Sequence, residues 1–471
     1  MTATDAVKLF YDYVAIFFVV YLVGYSTFLL LAVAVGSSEL YTRRRQEKLK
    51  NALQDRYYVP VSILVPAYNE EVTVAATVRS LLCLAYNTYE IVVVDDGSTD
   101  ATSQKLIDAF SLHPIVRPIR RLIPCQPEEF VFQGSAKGGA VSITLIRKQN
   151  GGKADALNMG INAARFPYFL CIDADSALQY DSLEKIVRPV LEHADVVAVG
   201  GAVRPANDVT IKDGHVQQYR LPRSLLASMQ VLEYDRSFLA ARILFDKLGG
   251  NIIISGAFGL FKKDTVVQAG GYDHDTLGED MELVVKLHEF CRLHGIPYRV
   301  KYASDAICWS QAPEHLRDLR QQRRRWHLGL FQSMSKHRAL FFNPKFGTVS
   351  FISYLYFLLY ELLSPYIEVF GVVTIALAFA FDLINVPFMI LFFLIYCAFG
   401  SILSLTAFFA RIQTIDLSVT PREALKAVAL CFVEVGFLRF VLAFVRATAF
   451  IGYRKKKLDW GSIQRKKMHI K

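Results

Sequence analysis

Two aspartates that stand one residue apart, Asp173 and Asp175, follow a short apolar run and have the chemistry of a metal-binding turn. On extended backbone their side chains can point to the same face. Paired carboxylates suit a hard divalent cation that keeps several waters and bridges phosphate oxygens, and such a cation would neutralise charge on a departing pyrophosphate. A solvated acidic turn is the alternative. The strand before the pair and a second acidic turn upstream favour the metal site.

The upstream turn, Asp95-Asp96-Gly97-Ser98, also follows an apolar run. The Asp96 carboxylate could accept hydrogen bonds from a nucleobase amide or a ribose hydroxyl, or it could cap the next helix, a role that Ser98 could fill instead. Lys153 follows two glycines that let the backbone approach a ligand closely, and it could pair with a phosphate as a point charge. It does not belong to a Walker loop, because the spacing and the Lys-Ser/Thr pair are absent.

Glu279 and Asp280 open an amphipathic helix that is predicted over Met281–Leu287. The helix dipole stabilises a carboxylate at this end as the anion. Such a carboxylate is suited to accept the proton of a sugar hydroxyl, and helix capping alone is the alternative.

Gln322, Arg325 and Trp326 have the spacing i, i+3 and i+4 and would share one face of a helix. That face offers an amide, a guanidinium for a pyrophosphate and a flat ring on which a sugar can stack. Arg323 and Arg324 are expected to point elsewhere and to contact anionic lipid headgroups. A basic helix lying on a membrane is the alternative, and both interpretations can hold together.

The composition is that of an integral membrane protein with a large soluble part. The chain has 471 residues, of which 53% are hydrophobic, and its mean hydropathy is +0.29. Val14–Gly36 exceeds the roughly 20 residues that span a bilayer, and no cleavage site follows it, so we expect a retained anchor. The basic cluster after it, Arg43–Lys50, predicts that the middle of the chain is cytosolic.

Charge and cysteine usage exclude several classes of protein. The net charge of +10 is explained by basic clusters beside membrane segments, and no nucleic-acid-binding module accompanies it, so we expect no nucleic-acid partner. The seven cysteines stand singly, which argues against zinc sites and disulfides and suits a cytosolic domain.

The segments that must position these residues alternate between strands and helices. Val61–Val65, Glu90–Val94 and Tyr168–Ile172 are short apolar runs that end in turn residues, which predicts parallel strands feeding helices. In open α/β sheets ligands bind at the carboxyl ends of the strands. Residues 112–147 are expected to be an elaboration without an assigned function. Its predicted strands and turn are Ile115–Ile123, Phe130–Phe132, Val141–Ile146 and Gly134–Gly139.

After Trp326 the chain becomes apolar in three runs, Gly347–Leu383, Phe388–Ala410 and Ala424–Gly452. If the basic C-terminal tail is cytosolic, an even number of crossings must follow the soluble domain. A break at Pro365, or a last run that forms a hairpin or an interfacial helix, would satisfy that parity. Five charges within these runs could line a channel or pair with one another. They are Glu361, Glu368, Glu434, Arg439 and Arg446.

We therefore expect four segments. They are an N-terminal membrane helix and basic linker (1–57), a cytosolic transferase domain (58–325), an interfacial helix region (326–346), and membrane or interfacial helices with a basic tail (347–471).

Together the motifs resemble those of the membrane-embedded, processive family 2 glycosyltransferases, which include cellulose, chitin, hyaluronan and poly-N-acetylglucosamine synthases. The resemblance covers nearly the whole chain, and Gln322-x-x-Arg325-Trp326 is its most specific element. It implies an α/β fold: a cytosolic, Rossmann-like A-type nucleotide-sugar domain inserted between transmembrane helices. It also implies an inverting transferase with a UDP-sugar donor and Mg²⁺ or Mn²⁺.

The resemblance assigns roles to individual residues. It implies Asp280 as the general base. We expect Lys153 to be one of the residues that bind the nucleotide-sugar. It places Asp96 at the uridine, and Asp173 and Asp175 at the UDP and the metal. The acceptor end and pyrophosphate would lie against Gln322, Arg325, Trp326, Glu279, and the Ser255 and Gly256 of Ser255-Gly256-Ala257-Phe258.

Three details of the sequence indicate which kind of synthase within the family the chain resembles most. Met281 after Asp280 differs from hyaluronan synthases, and Ile254-Ser255-Gly256-Ala257 differs from the Phe-Cys-Gly-Ser of cellulose synthases, so both favour the poly-N-acetylglucosamine type. Leu417–Arg422 resembles the Phe-x-Val-Thr-x-Lys gating loop of cellulose synthases, with Leu and Arg in place of Phe and Lys. The sugar stays open between glucose and N-acetylglucosamine.

The expected function is processive polymerisation of a β-linked polysaccharide and its translocation across the plasma membrane by a multi-pass protein. The growing polysaccharide, the bilayer and an accessory membrane subunit are the candidate partners. One alternative is transfer of a single sugar to a lipid carrier. Another is a non-catalytic membrane subunit or transporter, against which the intact carboxylates of Asp173, Asp175 and Asp280 argue.

Overall fold

The structure is a computed structural model that describes residues 3–50, 59–237, 241–414 and 419–453. Leu417 and Ser418, at the start of the segment that resembles a gating loop, lie outside the described residues. The basic C-terminal tail after Tyr453 lies outside them as well.

A ten-stranded mixed sheet forms the centre of the α/β domain, and its spatial order is β3-β4-β5-β2-β1-β6-β11-β8-β12-β7. Strands β5, β2, β1 and β6 pair in parallel, whereas β3, β4 and β11 pair antiparallel to their neighbours. The strands are β1 (Val61–Ala67), β2 (Tyr89–Asp95), β3 (His113–Ile115), β4 (Glu128–Ala136), β5 (Val141–Lys148), β6 (Tyr168–Cys171), β7 (Ala177–Leu178), β8 (Val196–Pro205), β11 (Gly259–Lys262) and β12 (Arg299–Ser310). A separate hairpin pairs β9 (Thr210–Lys212) with β10 (His215–Gln218).

Helices cover both faces of this sheet, as a parallel sheet with buried strands requires. The helices of the domain are α2 (Val74–Leu82), α3 (Thr102–Phe110), α4 (Lys153–Ala163), α5 (Ser182–Glu192), α6 (Leu225–Arg236), α7 (Arg242–Lys247), α8 (Lys263–Gln268), α9 (Glu279–Leu293) and α10 (Leu316–Lys336).

The side chains of β1 show how the core is divided. Ile63 packs into one hydrophobic cluster with Val78 of α2 and Ile186 of α5. The next residue, Leu64, packs into a second cluster with Leu157 of α4 and Leu287 of α9. This alternation follows from the two-residue repeat of a strand.

The three strands predicted to precede the polar turns are confirmed as β1, β2 and β6. Residues 112–147 add an antiparallel edge to the sheet through β3, β4 and β5. The prediction of a strand over Ile115–Ile123 was wrong beyond Ile115, since Pro118 lacks the amide hydrogen that a sheet ladder uses. Gly134 lies within β4 rather than in the predicted turn.

Helices outside the α/β domain include several that are long and apolar enough to cross a membrane. The N-terminal α1 (Ala3–Lys50) contains the candidate span Ala6–Arg43, and α12 (Val386–Thr414) contains Val386–Ile412. The path over Val349–Leu362 bends by 44° before α11 (Ser364–Ala380). Pro365 stands at the first turn of α11, so the predicted break is present there.

The last apolar run forms one helical path instead of a hairpin. It consists of α13 (Pro421–Val433), a π-helical segment (Glu434–Leu438) and α14 (Arg439–Ala447). Two further π-helical segments, Val349–Tyr354 and Phe357–Leu362, precede α11.

Candidate active site

One cavity of about 1430 Å³ opens at the carboxyl ends of β1, β2 and β6 and continues to the helices that follow the domain. Every residue that the sequence predicted for the donor, the base and the acceptor lines it: Asp96, Lys153, Asp173, Asp175, Ser255, Gly256, Glu279, Asp280, Gln322, Arg325 and Trp326.

The Asp-Ala-Asp turn follows β6 directly and brings both carboxylates to the cavity. Asp175 is buried, and Asp173 Oδ1 lies 2.5 Å from Lys153 Nζ. Among the described residues, no group of three or more His, Cys, Asp or Glu side chains forms a metal site made of protein ligands alone. Two carboxylates with hard oxygen donors do fit a divalent cation that takes its other ligands from water and a diphosphate.

Asp96 lines the cavity and also organises the loop after β5. Its carboxylate accepts hydrogen bonds from Lys148 Nζ, from Gly151 N at 3.1 Å and from Gly152 N at 2.7 Å. Burial raises the pKa of Asp96, and Lys148 and the loop amides oppose that shift. The turn is capped by Asp95, which accepts from Ser98 N at 2.8 Å. Asp96 therefore shapes the backbone that carries Lys153.

Lys148 is a site residue that sequence reasoning missed. Its side chain is fully buried at the end of β5, and Nζ also lies 2.7 Å from Asp155 Oδ1 and 2.6 Å from the Gln149 carbonyl oxygen. The strand period was the available signal: Lys148 shares the face of the buried Ile146 and Thr144, and a buried lysine requires partners.

Lys153 lies between the Asp173-Ala174-Asp175 turn and the start of α9. Its Nζ is 3.6 Å from Glu279 Oε1 as well as 2.5 Å from Asp173. Burial lowers the pKa of Lys153, but Asp173 and Glu279 outweigh it and hold the pKa above its ordinary value. Burial raises the pKa of Glu279 to about 7 despite the nearby Lys153 cation. A cation thus already lies where a nucleotide diphosphate would need one.

The N-terminus of α9 presents Asp280 to the same space. Its Oδ1 accepts from Met281 N and its Oδ2 from Gly256 N, each at 2.8 Å. A Cβ at Gly256 would lie 3.2 Å from Lys153 Nζ and 3.3 Å from Asp280 Oδ2. Glycine at position 256 therefore leaves room for the lysine and the carboxylate to face one ligand.

Helix α10 carries the three residues predicted to form an acceptor platform. The side chain of Trp326 is 42% exposed, and its ring centroid lies 6.4 Å from that of Tyr234. Gln322 Oε1 is buried and has no hydrogen-bond partner within the described part of the chain, so it can accept from a ligand hydroxyl. The Arg325 guanidinium lies near enough to Glu279 to lower the pKa of that carboxyl, so these three residues of α10 lie near the carboxylates of α9.

The expectation that Arg323 points away from the site to contact lipid headgroups was wrong, whereas for Arg324 this contact stays a prediction. Arg323 is buried and bonds Glu233 with both terminal nitrogens, and Arg324 Nε donates to the Ala449 carbonyl oxygen at 2.9 Å. The reason is that α10 packs between the domain and α14, so more than one of its faces is buried.

The two functional helices touch through backbone. A Cβ at Gly329 of α10 would lie 2.7 Å from Gly278 N and 2.8 Å from Gly278 Cα, just before α9 begins. This approach sets the separation between Asp280 and Trp326.

The five charges predicted within the apolar runs all form ion pairs, and four of them line the cavity. Arg439 pairs with Glu368 at 3.0 Å, Arg446 with Glu361 at 3.4 Å, and Glu434 with Arg236 of α6 at 2.7 Å. Of the five predicted charges, Glu361, Glu434, Arg439 and Arg446 line the cavity.

Comparisons with known proteins agree with this geometry. A sequence model described as "Glycosyltransferase like family 2" matches residues 59–329. The chain is 30% identical over 313 residues to the poly-beta-1,6-N-acetyl-D-glucosamine synthase of Staphylococcus aureus (strain COL), and the match covers 66% of this chain and 64% of that protein. The synthase of the same name from Staphylococcus epidermidis is 31% identical over 270 residues, which are 57% of this chain and 54% of that protein. The matched regions therefore span less than two thirds of these relatives.

A solved structure shares the fold. The mannosyltransferase PcManGT from Pyrobaculum calidifontis, in complex with GDP-Man and Mn2+, aligns with a TM-score of 0.52 and 18% identity, and the alignment covers 91% of this chain and 99% of that chain. The expected α/β fold, an A-type glycosyltransferase sheet flanked by N-terminal and C-terminal apolar helices, is confirmed. Since the family model matches residues 59–329, which is more than half of the 471 residues, the chain belongs to the glycosyltransferase-like family 2.

Proposed function

We propose that this protein is a membrane-bound hexosyltransferase that builds a β-linked polysaccharide from a UDP-sugar. The observation that carries the proposal is the continuity of one cavity. It joins the carboxylates of Asp173 and Asp175, the candidate base Asp280, the Trp326 ring and the helices after the domain. A donor, an acceptor end and the start of an exit path can thus occupy one space.

The donor side would bind a nucleotide diphosphate. Lys153 would pair with a phosphate, and Asp173 and Asp175 would hold Mg²⁺ or Mn²⁺, which would supply neutralisation of charge on the leaving UDP. The relation to PcManGT, solved with GDP-Man and Mn2+, supports a nucleotide-sugar and a divalent cation as the ligand class.

The transfer would need one proton acceptor, and Asp280 is our candidate. Its carboxylate would take the proton of the acceptor hydroxyl, whose oxygen would bond to the anomeric carbon while the bond from that carbon to the UDP oxygen breaks. Attack from the opposite face would convert an α-linked donor into a β-linked product. The amides of Gly256 and Met281 hold the carboxylate in place for this role.

The acceptor side would hold the growing chain. Trp326 offers a partly exposed ring for a sugar, and Gln322 and Arg325 lie on the same helix. The cavity continues past them towards the apolar helices, which supports processive growth and translocation across the plasma membrane from a cytosolic domain.

The two synthases that match most of the domain are named for poly-beta-1,6-N-acetyl-D-glucosamine. This favours UDP-N-acetylglucosamine over UDP-glucose as the donor, and it keeps an accessory membrane subunit as a candidate partner.

The first test uses inside-out membrane vesicles that contain the full chain, with Mg²⁺ or Mn²⁺. Labelled UDP-N-acetylglucosamine and UDP-glucose are supplied separately, and the product is sized on a gel. We expect high-molecular-weight label from one donor and none from an Asp280→Asn variant that still binds UDP. Label confined to a single lipid-extractable addition would support transfer to a lipid carrier instead. Absence of any metal-dependent UDP release would favour a non-catalytic membrane subunit.

A further inference from the structure

Helix α6 is linked by ion pairs to two other helices that line the cavity. Glu233 and Arg236 stand one helical turn apart on α6 and so share a face. Arg323 of α10 donates to the Glu233 carboxylate from both terminal nitrogens, at 2.7 and 2.6 Å. Arg236 bonds Glu434 in the same two-point manner, at 2.7 and 2.9 Å. Helix α6 is therefore held between α10 and the helical path of α13 and α14.

The guanidinium of Arg323 lies against the ring of Trp326. Its central carbon is 4.6 Å from the Trp326 ring centroid, and the two residues are related by i, i+3 on α10. A cation at this distance is attracted by the ring quadrupole, and a planar guanidinium can stack on the ring.

Burial differs sharply between the ring and its support. The side chains of Arg323 and Glu233 are 8% and 17% exposed, whereas Trp326 is 42% exposed. The ring thus presents a large surface to the cavity, while the Glu233–Arg323 pair, which also borders the cavity, is largely buried. A shielded ion pair adds little net stability because of its desolvation cost, but it fixes orientation.

We propose that Glu233 and Arg323 are positioning residues for the acceptor: the pair fixes the plane of the Arg323 guanidinium, and the guanidinium holds the Trp326 ring at the angle on which the terminal sugar of the acceptor stacks. The proposal rests on the proposed function, because it gives that ring its sugar ligand. Lysine cannot replace Arg323 fully, since an ammonium lacks both the two-point contact and the flat face.

The test combines a spectroscopic and a kinetic measurement on the full-length protein in detergent. The chain has three tryptophans, so Trp309→Phe and Trp460→Phe leave Trp326 as the only tryptophan, which can be excited selectively at the red edge of its absorption band. Into this background we would introduce Arg323→Met, Arg323→Lys and Glu233→Gln. The matched control is Arg324→Met, the neighbouring arginine, which bonds backbone oxygens of Ala449 and Ile451 and does not contact the ring.

For Arg323→Met we expect stronger acrylamide quenching of Trp326 and a rise of about tenfold in the KM for an acceptor oligosaccharide at saturating donor. UDP affinity should stay unchanged. Glu233→Gln should shift both readouts in the same direction, Arg323→Lys should give an intermediate value, and Arg324→Met should match the background protein in quenching. If the Arg323→Met protein does not fold and cannot be purified, the same measurements on Arg323→Lys and Glu233→Gln test the proposal.

Quenching in the Arg323 and Glu233 variants equal to that of the Arg324→Met control would overturn the proposal. So would an acceptor KM unchanged in a variant whose ring is more accessible. The quenching readout needs no catalysis, so it decides the position of the ring even if no sugar donor supports polymerisation. Failure of the inference and failure of the proposed function are therefore distinguishable.

Discussion

At the scale of single residues, the candidate site depends on charges that are buried and matched. Lys148 neutralises two carboxylates, Asp96 and Asp155, and Lys153 bridges Asp173 and Glu279. Removing one partner of a buried pair leaves an uncompensated charge, which costs more than the pair itself contributes. The two lysines should therefore respond differently to substitution, since only Lys148 is fully shielded from water.

Lys148→Met should weaken both folding and donor binding. The loss of its charge leaves two buried carboxylates without a counter-charge, and we expect a destabilisation of about 3–5 kcal/mol. The Gly151-Gly152 loop would lose its anchor, so UDP affinity should fall as well. Lys153→Met is the comparison, because it should lower UDP affinity with a much smaller change in the melting temperature. Calorimetric UDP binding and thermal unfolding measure the two effects, and a Lys148→Met protein with wild-type values in both would contradict this role.

Glu279 should make the stability of the metal-free protein depend on pH. Burial raises its pKa from 4.5 to about 7 in the folded state. Below about pH 4.5 the group is neutral in both states; between 4.5 and 7 only the unfolded chain ionises, so folding stability falls as pH rises through this window. The loss amounts to about 3 kcal/mol above pH 7.

Glu279→Gln should remove this contribution. Thermal unfolding of the two proteins from pH 4 to 9 would show the wild type losing stability relative to the variant as pH rises. Asp275→Asn, a change at an exposed carboxylate shortly before α9, is the control and should keep the wild-type slope. Parallel pH profiles for wild type and Glu279→Gln would show that the burial of Glu279 does not govern its ionisation.

At the scale of elements, the proposed transfer depends on how α9 meets α10. The helix that presents Asp280 and the helix that presents Trp326 touch where Gly278 faces Gly329. Backbone contact fixes their separation more firmly than side chains would, since a backbone cannot adopt another rotamer.

Gly329→Ala should therefore impair transfer through geometry alone. Its Cβ would lie 2.7 Å from Gly278 N, so α10 must shift away from α9. We expect a destabilisation of about 1–3 kcal/mol and a lower kcat with UDP affinity retained. Ser335→Ala, on an exposed position of the same helix, is the matched control. Wild-type turnover in Gly329→Ala would show that the helix contact tolerates the extra atom.

At the scale of the whole molecule, the last apolar helix contacts the catalytic domain along its length. Near its start Lys426 Nζ donates to the Pro222 carbonyl oxygen at 2.6 Å, and at its middle Glu434 bonds Arg236. At its end the Ala449 carbonyl oxygen accepts from Arg324. Its length and composition alone qualify Pro421–Ala447 as a span. The helix also packs on α11 and α12. From its contacts with the domain we predict that it lies along the membrane surface instead of crossing the membrane.

This arrangement predicts two crossings after the domain, α11 and α12, which satisfies the parity that a cytosolic basic tail requires. In the background with Trp309, Trp326 and Trp460 replaced by phenylalanine, tryptophan would be placed at the exposed Phe432, Phe437 and Phe444. Brominated lipids should then quench all three at one shallow depth. Tryptophan at the exposed Phe388, Ile395 and Ile402 of α12 should report a graded depth. A graded depth along the last helix would establish a third crossing.

The sequence alone was sufficient for the features that depend on local pattern. Short apolar runs ending in Asp-rich turns identified β1, β2 and β6, and the i, i+3, i+4 spacing placed Gln322, Arg325 and Trp326 on one helix. These features follow from strand and helix periodicity, which neighbouring residues in the chain already encode. The resemblance to family 2 transferases rested on the same short motifs.

Only the tertiary structure decided which charges meet. Lys148 and Asp96 are 52 residues apart, and Glu233 and Arg323 are 90 residues apart. The direction of Arg323 depends on packing against α6, and the course of the last helix depends on its contacts with Pro222, Arg236 and Arg324. Hydropathy reports only whether a segment prefers lipid or water. It does not report which distant group will neutralise a buried charge, and that pairing decides the orientation of each side chain in this site.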